Sequence, residues 1–325
     1  MSAPSPHALP PLRLGTRASH LALTQSGQVG RALVAGTERE IDLVHVRTQG
    51  DADRTSLLSQ IGGTGVFVTA VRQALLDGEV DVVVHSCKDL PTAPLTDIRL
   101  AAIPAREDPR DALCARDGMT LAQLPPGAKV GTGSPRRAAQ LLRARPDLDV
   151  VAIRGNVETR LARALGAEAD LDAVVLAASG LLRVDRGEVI SELLPIEVML
   201  PAPAQGALAV EATTAQLEAT PWLAAALETV EDPATRVAIT AERALLRALE
   251  AGCSAPVAAF AELAEGRLHL RALAIRPDGT HVVEGSAASA AAATDGEAAA
   301  GLGRDLAADL LDRGAGDILA EAKGS

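Results

Sequence analysis

The sequence predicts an α/β protein whose last hundred or so residues form a smaller α+β domain. Over the first two thirds of the chain, strand-like and helix-like segments alternate, which is the pattern of open α/β domains. Some of the strand-like runs are continuously apolar, as parallel strands are when helices cover both faces of their sheet. After the proline-containing loop at Leu200–Ala207, this alternation ends.

The elements of the first part follow from hydrophobic periodicity and from glycine and proline punctuation. In chain order they are a strand at Leu12–Arg17, a helix from Ser19 to about Val34, a strand at Ile41–Thr48, a Gly-rich loop at Ile61–Gly65, a helix ending near Asp77, and strands at Asp81–Ser86, Lys129–Gly133, Asp149–Gly155 and Asp172–Gly180.

The C-terminal part has different signals. Asp232 and Pro233 are a good N-cap and first-turn pair for a helix with one apolar face. The alternating run that follows predicts a β-hairpin turning at Pro277–Gly279. The Ala-rich stretch Ala287–Ala300 predicts a loop that continues as a helix.

Composition argues against several classes of protein. The formal net charge is -11 and the isoelectric point is about 5.1, so we expect no nonspecific binding of nucleic acid, which needs a broad basic face. Aromatic residues make up 1% of the chain, which leaves few rings for stacking on bases. No run of about 18 apolar residues occurs, and we therefore expect no membrane span.

The three cysteines, Cys87, Cys114 and Cys253, are far apart and odd in number. This spacing favours neither a disulfide framework nor a zinc site, and we expect no metal. The N-terminal segment lacks the apolar stretch of a secretory signal. Together these features predict a cytoplasmic protein.

Cations follow the predicted strands where open α/β sheets bind ligands, beyond the carboxyl ends of the strands. A single arginine is as a rule a solvated or locally paired surface charge. Four strand ends that each supply a cation favour an anion-binding cleft. The side chains at these ends are Thr16, Arg17 and Ser19, then Ser86, Lys88 and Asp89, then Thr132, Ser134, Arg136 and Arg137, and finally Arg154, Asn156 and Arg160.

Two of these cations, Arg136 and Arg137, fall in the first turn of a helix that Ser134 and Pro135 begin. The N-terminus of a helix carries free N–H donors and the positive end of the dipole, so cations there are unfavourable without an anion. Arginine binds both phosphate and carboxylate in a bidentate manner, and both anions stay open. The chain has no P-loop motif.

Two further residues carry chemistry only in suitable surroundings. Asp89, beside Lys88, is either half of a simple ion pair or a carboxylate that stabilises a developing cation. Cys253 follows Gly252 after a helix. A lone cysteine is usually a small buried apolar residue, but in a loop that faces a basic cleft its thiolate is a nucleophile.

Six strings of the chain resemble motifs of the hydroxymethylbilane synthase (porphobilinogen deaminase) family, in the family's order and at similar spacing. The resemblance runs from about Leu12 almost to the C-terminus, and RGNVETRL and the context of Cys253 are its most specific parts. The strings are His85–Pro91, Arg106–Ala112, Val130–Arg137, Arg154–Leu161, Ala204–Glu211 and Ala241–Val257.

The resemblance implies a fold of three domains. Two similar α/β domains joined by hinge strands are like those of periplasmic binding proteins, and a smaller α+β domain carries the cysteine. The implied boundaries are residues 1–104 with 202–222 for the first domain, 105–201 for the second and 223–325 for the third. The family also suggests a monomer.

The resemblance also implies a reaction. Enzymes of this family join four porphobilinogen molecules head to tail with loss of ammonia, on a dipyrromethane cofactor held by a thioether, and water then releases hydroxymethylbilane. Cys253 matches the attachment cysteine, and Asp89 matches the catalytic aspartate that stabilises the azafulvene cation. The positions implied to line the site for cofactor and substrate are Arg17, Ser19, Phe67, Ser86, Lys88, Thr132, Ser134, Arg136, Arg137, Arg154, Gly155, Arg160, Gln205 and Gly206.

The chain departs locally from the family pattern. Thr64 stands where many members have a lysine, and Gln49 where an arginine is frequent, so the implied lid has fewer cations. Gly133 and Pro135 replace a commoner Ser and Leu, and Cys87 often corresponds to a methionine, which favours a packing role.

Three other classes of protein fit parts of the pattern. A two-lobed anion-binding protein would need neither Asp89 nor a cysteine in a loop. A ligand-sensing regulator would need a basic helix-turn-helix, which is not evident in the sequence. Another anion-handling transferase is compatible with the arginines alone.

Overall fold

The structure is a computed structural model that describes residues 9–46, 65–252, 255–289 and 295–324. The chain divides into two compact units, Met1–Ala105 with Leu208–Asp232 and Arg106–Ala207 with Pro233–Ser325. We describe each unit by itself, and the three-domain boundaries stay a prediction. None of the helices in the described ranges is both long and apolar enough to span a lipid bilayer.

The first unit contains a five-stranded sheet with helices packed on it. Its strands are β1 (Leu12–Thr16), β2 (Ile41–His45), β3 (Val82–Ser86), β4 (Ile98–Ala102) and β10 (Leu208–Thr213), and its helices are α1 (His20–Leu33), α2 (Gly65–Leu76), α6 (Thr214–Ala219) and α7 (Pro221–Val230). The strand order is β2-β1-β3-β10-β4. β1 is parallel to β2 and β3, whereas β10 is antiparallel to β3 and β4.

The second unit repeats this arrangement. Its larger sheet contains β5 (Asp111–Ala115), β6 (Lys129–Thr132), β7 (Asp149–Ala152), β8 (Ala173–Ala177) and β9 (Glu192–Leu193), with α3 (Pro135–Ala144), α4 (Val157–Leu165) and α5 (Ala178–Arg183). The order β7-β6-β8-β5-β9 again places three parallel strands beside one antiparallel neighbour. The predicted pair of similar α/β lobes is therefore confirmed.

The second unit also contains the α+β part of the chain. It comprises α8 (Pro233–Ala248), an antiparallel sheet of β11 (Val257–Ala264), β12 (Arg267–Ile275) and β13 (Val282–Ala288), and then α9 (Gly296–Asp312) and α10 (Ala315–Gly324). One face of this sheet packs on the three helices through residues such as Leu245, Leu270 and Leu306. The other face packs on α3, where Phe260 and Leu273 contact Ala139.

Several strands were missing from the sequence prediction. β4, β5, β9, β10 and β11 were not assigned, and four of them introduce antiparallel pairs into sheets that were expected to be parallel. A continuous apolar run such as that of β5 shows burial but carries no information about strand direction. The predicted strand Asp172–Gly180 ends at Ala177, because Ala178 already begins α5.

Candidate active site

In the first unit, two strand ends bring predicted site residues to one edge of the sheet. β1 and β3 are parallel neighbours, so their carboxyl ends lie side by side. Arg17 and Ser19 follow β1, Ser86 ends β3, and Lys88 and Asp89 lie in the helical turn directly after it. Lys88 is half-buried and Asp89 is exposed. This edge therefore presents two cations and one solvent-accessible carboxylate.

Both serines at this edge also have structural partners. The Ser19 hydroxyl caps α1 by accepting a hydrogen bond from the backbone N–H of Ala22 (3.3 Å). The side-chain amide of Gln25, on the same helix, lies 3.2 Å from the Ser86 hydroxyl. These contacts hold the start of α1 against the end of β3.

A buried cluster of charged side chains includes His85 of β3 and Glu211 of the neighbouring strand β10. Glu211 on β10 accepts two hydrogen bonds from the Arg72 guanidinium, at 2.8 and 2.6 Å, and lies 3.3 Å from His85 Nε2. Burial would raise the pKa of Glu211, but Arg72 and His85 outweigh it and lower that pKa to about 2. Because His85 directly precedes Ser86, this cluster helps to set where the strand ends.

The second unit has a matching edge. β6 and β7 are parallel neighbours; Thr132 ends β6 and Ser134 follows it, while Arg154 and Gly155 follow β7. Gly155 has a φ of +106°, and a Cβ there would lie 2.1 Å from the Thr159 hydroxyl oxygen, so only glycine fits.

The helices behind this edge begin where the sequence predicts. α3 begins with Pro135 after Ser134, although the Ser134 side chain makes no capping hydrogen bond. α4 begins after Asn156, whose side chain accepts a hydrogen bond from the N–H of Thr159 (2.9 Å). Arg160 lies one turn into α4, and a Cβ on Gly133 would be 3.7 Å from its guanidinium. The loops after β6 and β7 therefore meet at Arg160.

The first turn of α3 carries a buried charge cluster. Arg136 and Arg137 are 3% and 5% exposed, and each lies 2.8 Å from a carboxylate oxygen of Asp111, which is fully buried. The side-chain amide of Gln205 donates to the same carboxylate (2.8 Å), and its oxygen lies 3.2 Å from Arg137 Nη2. Arg136 also donates to the carbonyl of Leu200.

Charge in this cluster is not balanced. Among the residues that the structure describes, two guanidinium groups face one carboxylate, which leaves one positive charge in a region that solvent barely reaches. Burial would raise the pKa of Asp111, but the charges of Arg136 and Arg137 hold it below its ordinary value. The sequence predicted that these arginines need an anion. Asp111 neutralises one of their two positive charges.

The loop that carries Gln205 and Gly206 packs tightly on the start of the second unit. Gly206 has a φ of +90°, and a Cβ there would lie 2.4 Å from the carbonyl oxygen of Glu107. Arg183 at the end of α5 donates to the Gly206 carbonyl (2.6 Å). Within the described part of the chain, its buried Nε has no hydrogen-bond partner, and burial lowers the pKa of this guanidinium despite Glu107.

A second buried pair ties this loop to the α+β part. Glu242 on α8 is fully buried, and its carboxylate accepts hydrogen bonds from both terminal nitrogens of Arg106, at 2.6 and 3.1 Å. The same carboxylate accepts backbone N–H groups from Ala204 and from Ala261 on β11. The Arg106 Nε donates to the Gln205 carbonyl (2.8 Å). The helix that leads toward Cys253 is thereby attached to the Gln205 loop.

Some predicted residues cannot be placed with their side chains. Cys253 lies outside the described residues, as do Gln49 and Thr64. Phe67 belongs to α2, but its side chain also lies outside what is described.

Sequence reasoning missed four charged residues of the second unit. A signal for two of them was present, because a charge inside an apolar run is unusual: Asp111 opens the strand DALCA, and Glu242 interrupts the apolar face of α8. Arg106 lies within a string that carried the resemblance, but its partner could not be known from sequence. Arg183 had no sequence signal beyond its position after a buried strand.

Two family models match the chain. The model of the dipyrromethane cofactor binding domain of porphobilinogen deaminase matches residues 12–220, and the model of the C-terminal domain of porphobilinogen deaminase matches residues 236–312. The chain belongs to the porphobilinogen deaminase family. Its enzyme class is therefore hydroxymethylbilane synthase, and its cofactor is dipyrromethane.

Curated relatives match this chain along nearly their whole length. The porphobilinogen deaminase of Thermobifida fusca (strain YX) is 52% identical over 317 residues, which cover 96% of this chain and 97% of that protein. Porphobilinogen deaminase 1 of Streptomyces avermitilis is 51% identical, with 95% and 98% covered. Among solved structures, a periplasmic binding protein of Salmonella typhimurium with high arginine specificity matches with a TM-score of 0.36 and 13% identity, covering 68% of this chain and 93% of that one.

The residues of this chain fit an anionic cofactor. A dipyrromethane built from two porphobilinogen units carries four carboxylates, and the cluster of Arg136, Arg137 and Asp111 has a buried excess of positive charge. The unpartnered Nε of Arg183 adds a second donor for an anion. Among the residues that the structure describes, no three His, Cys, Asp or Glu side chains gather as a metal site.

Proposed function

We propose that this chain polymerises four porphobilinogen molecules into hydroxymethylbilane with Asp89 as the catalytic carboxylate and Cys253 as the cofactor attachment point. The observation that supports this most is the buried cluster in which Arg136 and Arg137 share a single carboxylate. A net buried cation is costly unless an anion joins it, and acetate and propionate groups are such anions.

The cations at the two sheet edges bind carboxylates. Guanidinium groups hold carboxylates in bidentate fashion, so several arginines can fix a chain of pyrroles by its side groups. The residues proposed to bind cofactor and substrate are Arg17, Ser19, Phe67, Ser86, Lys88, Thr132, Ser134, Arg136, Arg137, Arg154, Gly155, Arg160, Gln205 and Gly206, to which we add Arg183. Gly155 and Gly206 act through their backbone, because neither position tolerates a Cβ.

Asp89 stabilises positive charge. When ammonia leaves porphobilinogen, the remaining azafulvene is a cation whose pyrrole N–H is a strong donor. A fixed carboxylate that accepts this N–H lowers the energy of the developing charge, and it does so most in a site from which water is excluded. Asp89 lies in the helical turn directly after β3, at the strand end that also carries Ser86.

Cys253 supplies the thiolate for a thioether. When bound, the dipyrromethane supplies the pyrrole carbon to which the first substrate is joined. The chain positions this group through α8, whose Glu242 is attached to the Gln205 loop. We also propose the three-domain boundaries 1–104 with 202–222, 105–201 and 223–325, a monomeric state, and a cytoplasmic location, with porphobilinogen and no nucleic acid or membrane as partner.

Intact-mass measurement tests the attachment. We expect the purified chain to exceed its polypeptide mass by one dipyrromethane, Cys253→Ala to lose that excess, and the control Cys114→Ala, at a buried cysteine, to keep it.

In the same preparations, Asp89→Asn keeps the adduct but loses most turnover, about 100-fold or more, because charge is removed while shape is kept. An active protein with the bare polypeptide mass would refute the attachment, and near-normal turnover of Asp89→Asn would refute the role of Asp89.

A further inference from the structure

At the tip of the β12–β13 hairpin, Gly279 lies directly against the backbone of α3. Gly279 has a φ of +76°, and a Cβ there would lie 2.7 Å from the carbonyl oxygen of Ala139 and 2.7 Å from the backbone nitrogen of Arg143. The carbonyl carbon of Leu142 would be 3.0 Å away. These are backbone atoms of a helix, so they cannot move aside as a flexible side chain does.

The hairpin tip itself has little freedom to yield. The N–H of Gly279 donates to the carbonyl of Arg276 (2.9 Å), and Asp278 accepts both the N–H and the hydroxyl of Thr280, at 3.0 and 2.8 Å. The Arg276 guanidinium donates twice to Glu321 on α10, at 2.9 and 2.8 Å. A closed turn that is anchored to a helix moves as one piece.

α3 is held on its other sides as well. Arg143 pairs with Glu284 on β13 (3.0 Å), and Gln140 is hydrogen-bonded twice to the backbone of Leu200, at 3.0 and 2.8 Å. Ala139 packs into the apolar cluster with Phe260. Contacts with the α+β part therefore fix the position of α3. The first turn of this helix carries Arg136 and Arg137.

We propose that Gly279 is a positioning residue that sets where α3, and with it the guanidinium groups of Arg136 and Arg137, lies in the second unit. This inference rests on the proposed function, in which those two arginines bind carboxylates of the growing pyrrole chain. A side chain at 279 displaces the helix by about half an ångström, which is the tolerance of a preorganised site. Gly279 thus tunes carboxylate binding by setting the position of α3.

A matched pair of variants tests the proposal. Gly279→Asn and Gly266→Asn both place a side chain in a hairpin turn of the same sheet at positive φ, +76° and +73°, but a Cβ at Gly266 meets no atom within 4 Å. Asparagine tolerates this backbone conformation, so the difference between the variants reports the contact with α3. We expect Gly279→Asn to raise KM for porphobilinogen about tenfold with kcat within about twofold, because carboxylate binding is lost equally in ground and transition states.

Gly266→Asn is expected to leave both constants unchanged, and both proteins are expected to keep the full cofactor mass. Equal KM values in the two variants would overturn the proposal. If Gly279→Asn fails to fold by circular dichroism, Arg143→Gln, which cuts the side-chain link of the same helix to β13, is expected to raise KM at least about twofold. An unchanged KM there would overturn it too. The proposed function fails on different results, namely an inactive unsubstituted chain or an active Asp89→Asn.

Discussion

A carboxylate that solvent does not reach needs its charge balanced by neighbours, and Asp111 and Glu211 do this in different ways. Each oxygen of Glu211 accepts one hydrogen bond from Arg72, and His85 Nε2 lies 3.3 Å from one of them. Asp111 has two arginines and leaves a positive excess. The first arrangement is typical of a structural support, whereas the second suits a site that binds a further anion.

Glu211 makes the stability of the chain depend on acid pH. Its pKa of about 2 in the folded chain lies below the ordinary 4.5, so its stabilisation is complete above about pH 4.5 and is lost as the pH falls toward 2. The loss amounts to about 3 kcal/mol. We expect the unfolding free energy of Glu211→Gln, measured by urea denaturation, to decrease less over this pH range than that of the unsubstituted chain. The control Glu297→Gln, in an exposed ion pair, should leave the fall as it is; equal curves for Glu211→Gln and the unsubstituted chain would contradict the assignment.

Local sequence patterns alone pointed to the cations of the site, and the resemblance also named Asp89, Cys253 and Gln205. Strand ends and helix starts are visible in the pattern, and Arg136, Arg137 and Arg160 lie where those signals put them. Their partners are not visible, because Asp111 and Gln205 come from segments 26 and 68 residues from Arg137 along the chain. Pairing over such distances depends on the fold, and no local pattern records it.

Helix starts show how far local chemistry determines an element. Asn156 and Ser134 both occupy N-cap positions, as predicted. The side chain of Asn156 makes a capping hydrogen bond, whereas that of Ser134 makes none. Pro135, the first residue of α3, has a backbone φ that suits the start of a helix. Strand direction is a different matter: β5 and β10 run against their neighbours, and their apolar composition is the same as that of a parallel strand. Periodicity therefore carries no information about strand direction, and it also left the helices α6 and α7 unassigned.

The two caps make a quantitative comparison. Asn156→Ala removes a side-chain acceptor from the start of α4 and is expected to cost about 1 kcal/mol of unfolding free energy. Ser134→Ala removes no capping bond and is expected to cost less than about 0.5 kcal/mol. Urea denaturation of both variants checks this, and an equal cost for the two would show that the cap of Asn156 does not stabilise the chain.

The division into two units gives each a separate probe of unfolding. Trp222, the only tryptophan of the chain, belongs to α7 in the first unit, whereas far-ultraviolet circular dichroism reports helices of both. Glu242 belongs to the second unit and holds Arg106 and two backbone N–H groups in a fully buried position. A change at Glu242 should therefore separate the two signals.

We expect Glu242→Gln to destabilise the second unit by about 3 kcal/mol, because it leaves a buried guanidinium without its charge partner. The urea midpoint from circular dichroism then falls, while the midpoint from Trp222 fluorescence stays within error of that of the unsubstituted chain. Glu297→Gln again serves as control and should move neither. A joint shift of both midpoints would show that the units unfold together.

The position of β10 has a consequence for the order of biosynthesis. Among the described strands of the first unit, β4 pairs with β10 alone, and β10 also pairs with the side of β3 that β1 leaves open. β10 nevertheless follows all the strands of the larger sheet of the second unit in the sequence. A ribosome that has released residues 1–105 has therefore produced a half-built sheet with an open hydrogen-bonding row. About a hundred further residues must be translated before that row can close, and unpaired strand edges of this kind are where incompletely folded chains tend to aggregate.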